Sequence, residues 1–137
     1  MERKTTAQIE QEMFDALEDF FVGRISGSLY QSDCRPTDSR LEDAVITVST
    51  ASAGQIQEGR ARINIFVPDI DAGLGRPVPN KERIDNISRL DGVILETLNN
   101  SDTDYVFDLF MATGVENAVD IKQHFVTINI EFKHITF

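Results

Sequence analysis

Between residues 5 and 22 apolar side chains recur every third or fourth position: Ile9, Met13, Ala16, Leu17, Phe20 and Phe21. That spacing predicts a helix with one apolar stripe turned to a core. Thr5 and Gln8 have capping-box spacing, Glu10, Glu12 and Asp15 lie toward the positive end of the helix dipole, and Gly23 supplies a stop. Further on the period changes to two. Ala61, Ile63, Ile65 and Val67 alternate with Arg60, Arg62, Asn64 and Phe66, and Val126, Ile128, Ile130 and Phe132 alternate with Thr127, Asn129, Glu131 and Lys133. Each run predicts a strand with one buried and one wet face.

The remaining segments fill in around these three. A short strand is expected at Leu29 and Tyr30, followed by a loop whose turn chemistry comes from Asp33, Pro36, Asp38 and Ser39. "AVITVST", residues 44 to 50, is a β-branched run suited to a central strand. It is expected to pair as a hairpin with residues 60–67, with Gly59 marking a bulge. Pro68 opens a polar loop holding Asp69, Asp71 and Arg76. A second helix is predicted from Lys81 to Leu98, capped by Asn80, with Ile84, Ile87, Leu90, Ile94, Leu95 and Leu98 on its apolar face. Gly92 inside it costs about 1 kcal/mol relative to alanine, which close packing on the sheet would explain. "DYVFDLFMA" reads as a strand with Tyr105, Phe107, Leu109 and Met111 on one face, and a turn is expected around Gly114 and Asn117. His134 follows the parity of Phe132 as a partly buried strand residue. The order is α-β-β-β-α-β-β in one domain spanning residues 1–137. Helices are too few to cover both faces of a parallel sheet. The expected architecture is therefore α+β, an antiparallel or mixed sheet of about four to five strands with two helices packed on one face.

Composition narrows the functional classes. Hydrophobic residues at 41% and charged residues at 26% describe a globular chain and not a disordered one. No apolar run approaches the roughly 20 residues of a membrane span, and the N-terminal stretch lacks the apolar core of a secretory signal. The single cysteine, Cys34, rules out an internal disulfide and fits a reducing compartment. The net charge of −10 argues against sequence-independent DNA binding, which needs a basic face to displace counterions.

Several residues could carry chemistry. Asp69 and Asp71 follow a strand, and Asp85 and Asp91 stand on the next helix, a distribution that a divalent-metal nuclease could use. Asp85-Asn86 and Arg89 look superficially like part of the small phage Holliday-junction resolvase pattern. That pattern expects a lysine where Arg89 stands and an acid where the chain has Val93. Cys34 with His124 or His134 could be imagined as nucleophile and base, but no glycine frames the cysteine and no orienting motif accompanies it. P-loop, GxGxxG, GxSxG and HExxH motifs do not occur, and "GLGRPVP" lacks the spacing of a phosphate cradle. The residues thus point to no catalytic, cofactor or metal site. The alternatives to a structural protein are a divalent-metal nuclease and a non-enzymatic ligand- or peptide-binding module.

The layout resembles the bacteriophage tail-completion, or tail-terminator, family over most of the chain. The likeness runs through a first helix ending in "FFVGRISGSLY", a "CRPTDSRLED" loop and the strand "AVITVST". It continues through "RARINIFVPD", the helix "ERIDNISRLDGVILETL" and the closing strand "FVTINIEFKHITF". The family's motifs are loose and include no catalytic signature. The resemblance implies a structural virion protein, assembled in the host cytoplasm, that forms a ring, usually a hexamer. Such a ring caps the tail tube, meets the head–tail connector, and passes DNA through its lumen without gripping it. On that reading Asp69, Asp71, Arg76, Phe125 and Phe137 are expected at or near subunit contacts, with Arg76 meeting an acidic group across the seam.

Overall fold

A computed structural model describes residues 4–53 and 56–135. The first helix, α1 (Thr6–Leu17), opens on the expected capping box: the Thr5 hydroxyl accepts from the Gln8 amide, and the Gln8 side chain accepts from the Thr5 amide. It stops at Glu18, short of Val22. Residues 18–22 turn instead, and the Arg24 guanidinium donates to the Phe20 carbonyl at 2.6 Å while Gly23 takes φ +81°. Phe20 and Phe21 are still buried, so the apolar stripe outlasts the helix that it predicted.

The sheet is mixed and six-stranded. Its members are β1 (Leu29–Gln31), β2 (Ala44–Ala51), β3 (Ile56–Pro68), β6 (Val106–Leu109), β7 (Gly114–Ala118) and β8 (Gln123–Ile135), ordered β1-β2-β3-β8-β6. β7 pairs with the first part of β8 and β6 with the later part, so the two short strands share one flank end to end. β1 runs parallel to β2, and the other pairs are antiparallel. β7 occupies the segment expected to be a turn. Its five residues lie along β8 from Gln123 to Thr127, so β8 has a ready template for backbone pairing there. Between Pro68 and Asn80 the polar loop contains a two-stranded ribbon, β4 (Ile70–Asp71) with β5 (Pro77–Val78).

Register places Ile46, Ile63 and Ile128 in one row across three strands. All three are fully buried, with Ala44, Ala61, Ile65, Val67, Val126, Ile130 and Phe132 around them. Ile9, Met13 and Leu17 of α1 cover this face, helped by Ile84 and Ile87 of α2 (Lys81–Ser88) and Ile94 and Leu98 of α3 (Asp91–Asn99). The α+β architecture with helices on one face is therefore as the sequence predicts. Asn80 caps α2 as expected, accepting from the Arg83 amide at 3.2 Å.

The long second helix is broken in two. Ser88 Oγ donates back to the Ile84 carbonyl at 2.7 Å, which competes with the helical ladder, and Arg89 and Leu90 relax to ψ near zero before Asp91 opens the next turn. Gly92 packs against nothing, since a Cβ there would meet open space. The bulge in the β2–β3 hairpin falls on β2, between Val48 and Thr50. Gly59, which pairs with Ala51 next to it, answers a different need. A Cβ at 59 would overlap the Thr50 carbonyl and stand 2.7 Å from Phe132 Cζ, so glycine leaves room for the phenylalanine ring.

The uncovered face carries Arg60, Arg62, Asn64, Phe66, Thr127, Asn129 and Glu131. One end of it is roofed by the connection between β1 and β2. Arg35 in that connection lies 4.0 Å above the Phe66 ring, donates to Asp43 at 2.9 Å and bonds the Gln123 side chain at 2.9 Å.

Candidate functional site

Two concavities compete for attention. The larger, of about 840 Å³, lies on the uncovered sheet face and is lined by Thr50, Arg60, Asp108, Glu131, Lys133 and their neighbours. Register sets Thr50, Arg60, Glu131 and Asp108 in one cross-strand row. Charges of both signs stand side by side there, and the Arg60 guanidinium lies 4.3 Å over the Phe110 ring. That is a solvated ladder without convergence on a point.

The smaller cleft, of about 340 Å³, stands where β3 ends, β8 begins and the β4–β5 ribbon leaves the sheet. Its walls are Asp69, Arg76, Pro77, Val78, Pro79, Asn117, Val119, Lys122 and His124. The chain is fixed there by backbone geometry. The Asp69 amide donates to the Lys122 carbonyl at 3.1 Å, and Lys122 itself sits in the left-handed region at φ 55°, closing the 3₁₀ turn Val119–Ile121. Across this junction His124 Nδ1 lies 2.7 Å from Asp69 Oδ1, both side chains being largely buried. An ionised carboxylate only accepts, so the imidazole donates from Nδ1.

Of the residues selected from sequence as subunit contacts only Asp69 and Arg76 share this cleft, and the others lie elsewhere. Asp69 is an internal strut to His124. Asp71 is exposed on β4 and accepts from the Gly73 amide at 2.9 Å, a local turn contact. Arg76 is exposed on the cleft wall. Phe125 is half-buried on the other sheet face, with its ring centroid 5.2 Å from that of Phe66. Phe137 lies outside the described residues. The nuclease acids are equally scattered: Asp85 pairs with Arg89 at 3.0 Å along α2, and Asp91 accepts from Thr113 Oγ1 at 2.7 Å. Among the described residues no group of three or more His, Cys, Asp or Glu side chains is arranged to hold a metal ion. Cys34 is exposed, while His124 is engaged with Asp69 and His134 stands against Tyr105, with ring centroids 5.2 Å apart. Lys122 and Val119 of the cleft carry no signal in the sequence, and Asn117 stands out there only as a turn residue. The strand β7 and the left-handed Lys122 that bring them together leave no periodicity.

No protein-family model matches the chain, and no curated protein does. A solved structure whose name carries no function superposes with a TM-score of 0.54, covering 98% of this chain and 98% of its own at 15% identity. At that identity the likeness establishes the fold alone.

Proposed function

We propose that the chain is a structural protein that closes into a ring, of the kind implied by its resemblance to the phage tail-terminator family, capping a tail tube beneath a head–tail connector. The observation that carries this reading is the unequal pair of sheet flanks. On the β6–β7 flank Val106 is 70% exposed, Met111 54% and Val115 48%. At the opposite flank, where α1 gives way to β1, Val22 is 76% exposed. Grouped exposed apolar side chains mark interaction surfaces, and short strands with free backbone edges invite pairing. Because the two flanks differ, a contact between them is head-to-tail. Head-to-tail contacts generate rings when the rotation closes.

The acidic charge supports the same reading, since a protomer of −10 would let DNA pass through a lumen without holding its phosphates. The test is the mass of the purified protein in solution with electron microscopy of the same sample. A closed ring of several protomers is expected. A protein that stays monomeric at high concentration and in the presence of a tail-tube protein would sink the proposal.

A further inference from the structure

The cleft at Asp69 and His124 has a feature that its hydrogen bonds do not use. Arg76 and Lys122 line it, both exposed, and neither makes an ion pair among the described residues. Asp69 is the one acid in its walls, and its carboxylate is turned to His124. The cleft therefore presents two uncommitted cations on a strongly acidic chain, beside Val119, which is 71% exposed.

A matching set stands at the same end of the sheet, beside the start of β2. α1 starts where Lys4 binds Gln57 near the beginning of β3, and so it ends near the beginning of β2. The turns after it hold Glu18, Asp19 and Val22, all exposed. Neither acid makes an ion pair among the described residues. Gly27 just beyond bonds the Glu42 carbonyl at 2.9 Å, which holds this corner beside the start of β2. The two corners are thus complementary in charge and in apolar character and lie at one level along the strands; Arg24, the exposed cation of the acidic corner, is turned to its own Phe20 carbonyl.

We propose that the Arg76–Lys122 cleft receives the Glu18–Asp19 corner of a second copy of the chain, the cations meeting the two carboxylates while Val119 packs against Val22. The inference rests on the ring reading and names its seam. Copies carrying −10 each repel one another, so association needs the acids at the contact to meet cations. Because cleft and corner are different surfaces, the contact is head-to-tail, and every joint leaves one of each free for another copy.

Charge reversal tests this directly. Arg76→Glu with Lys122→Glu, and separately Glu18→Lys with Asp19→Lys, should leave the fold intact by circular dichroism. Each pair should weaken assembly about tenfold or more, since like charges facing across a contact cost several kcal/mol. All four changes in one chain should restore the assembly measured by mass in solution. As a second readout, Val22→Cys with Val119→Cys in a Cys34→Ser background should give, on oxidation, a ladder of covalent multimers. A parent that assembles, with either reversed pair assembling equally well and no ladder, would overturn the seam while leaving the ring reading standing. A four-fold variant that stays as weak as its parents would do the same. A parent that never assembles would overturn both.

Discussion

Arg35 Nε and Asp43 Oδ2 lie 2.9 Å apart, with 11% and 1% of their side chains exposed. The pair ties the connection after β1 to the start of β2. Gly27 belongs to the same arrangement, since a Cβ there would collide with the Asp43 carboxylate. Removing one partner of a buried pair strands the other charge, a loss of about 3–5 kcal/mol. Arg35→Met should lower stability by that amount in chemical denaturation, and the loss should exceed that of Arg89→Met, whose partner Asp85 is exposed on α2. Equal, small effects would show that the connection is not held by this pair.

Two glycines predict opposite outcomes for one substitution. At Gly59 the added methyl would overlap the Thr50 carbonyl and press on Phe132. Gly59→Ala should destabilise by about 1–3 kcal/mol, the usual cost of overpacking. At Gly92, within α3, the same methyl meets open space. Gly92→Ala should stabilise by about 0.4–1 kcal/mol, through helix propensity and a less flexible unfolded chain. Thermal unfolding of both variants beside the parent decides the matter.

Ile94 is fully buried in α3, within the core cluster that also holds Leu98 and Phe107. Ile94→Ala should cost about 2–5 kcal/mol, the range for truncating a buried aliphatic side chain. A denaturation midpoint unchanged within error would mean that α3 does not form part of the cooperative core.

How much of this was legible in sequence depends on the range of the interactions involved. Strands with a clean period of two, such as Ala61 to Val67, declare their buried face because every second side chain must enter the core. The caps at Thr5 and Asn80 were readable because a cap is a matter of a few neighbouring residues. The break between α2 and α3 was not readable, because the apolar stripe continues through Leu90 while a single Ser88 hydroxyl interrupts the ladder. β7 was missed for a similar reason: Gly114 and Asn117 have turn chemistry, yet β8 supplies pairing partners for them at Thr127 and His124. The cleft was half visible. Asp69 and Arg76 stood out as polar loop residues, but their meeting with Lys122 and His124 depends on the β3–β8 register, which no local pattern encodes.

The other end of the sheet carries a pH dependence. Tyr105 is buried, with its hydroxyl donating to Gln57 Oε1 at 3.1 Å. Gln57 in turn donates to the Lys4 carbonyl at 2.7 Å, so the phenol anchors the segment that leads into α1. Burial first, and then the negative charges of Glu12 and Asp104, push the Tyr105 phenol up from its ordinary value of 10.0 to about 12. The folded protein therefore keeps this proton at a pH where the unfolded chain has released it. Between those two values the unfolded state binds fewer protons, so stability must fall as pH rises. The contribution is present in full below pH about 10 and is lost as pH climbs toward about 12. Tyr105→Phe removes the ionisable group together with one buried hydrogen bond, and should cost about 1 kcal/mol near neutral pH. Leaving Gln57 Oε1 the Lys4 amide as a partner, at 3.2 Å, keeps that cost modest. The variant should then lose stability less steeply than the parent in the alkaline range. Denaturant midpoints measured for both proteins from neutral pH upward would expose the difference. Parallel curves would mean that Tyr105 does not hold its proton in the folded state beyond the point where the unfolded chain gives it up.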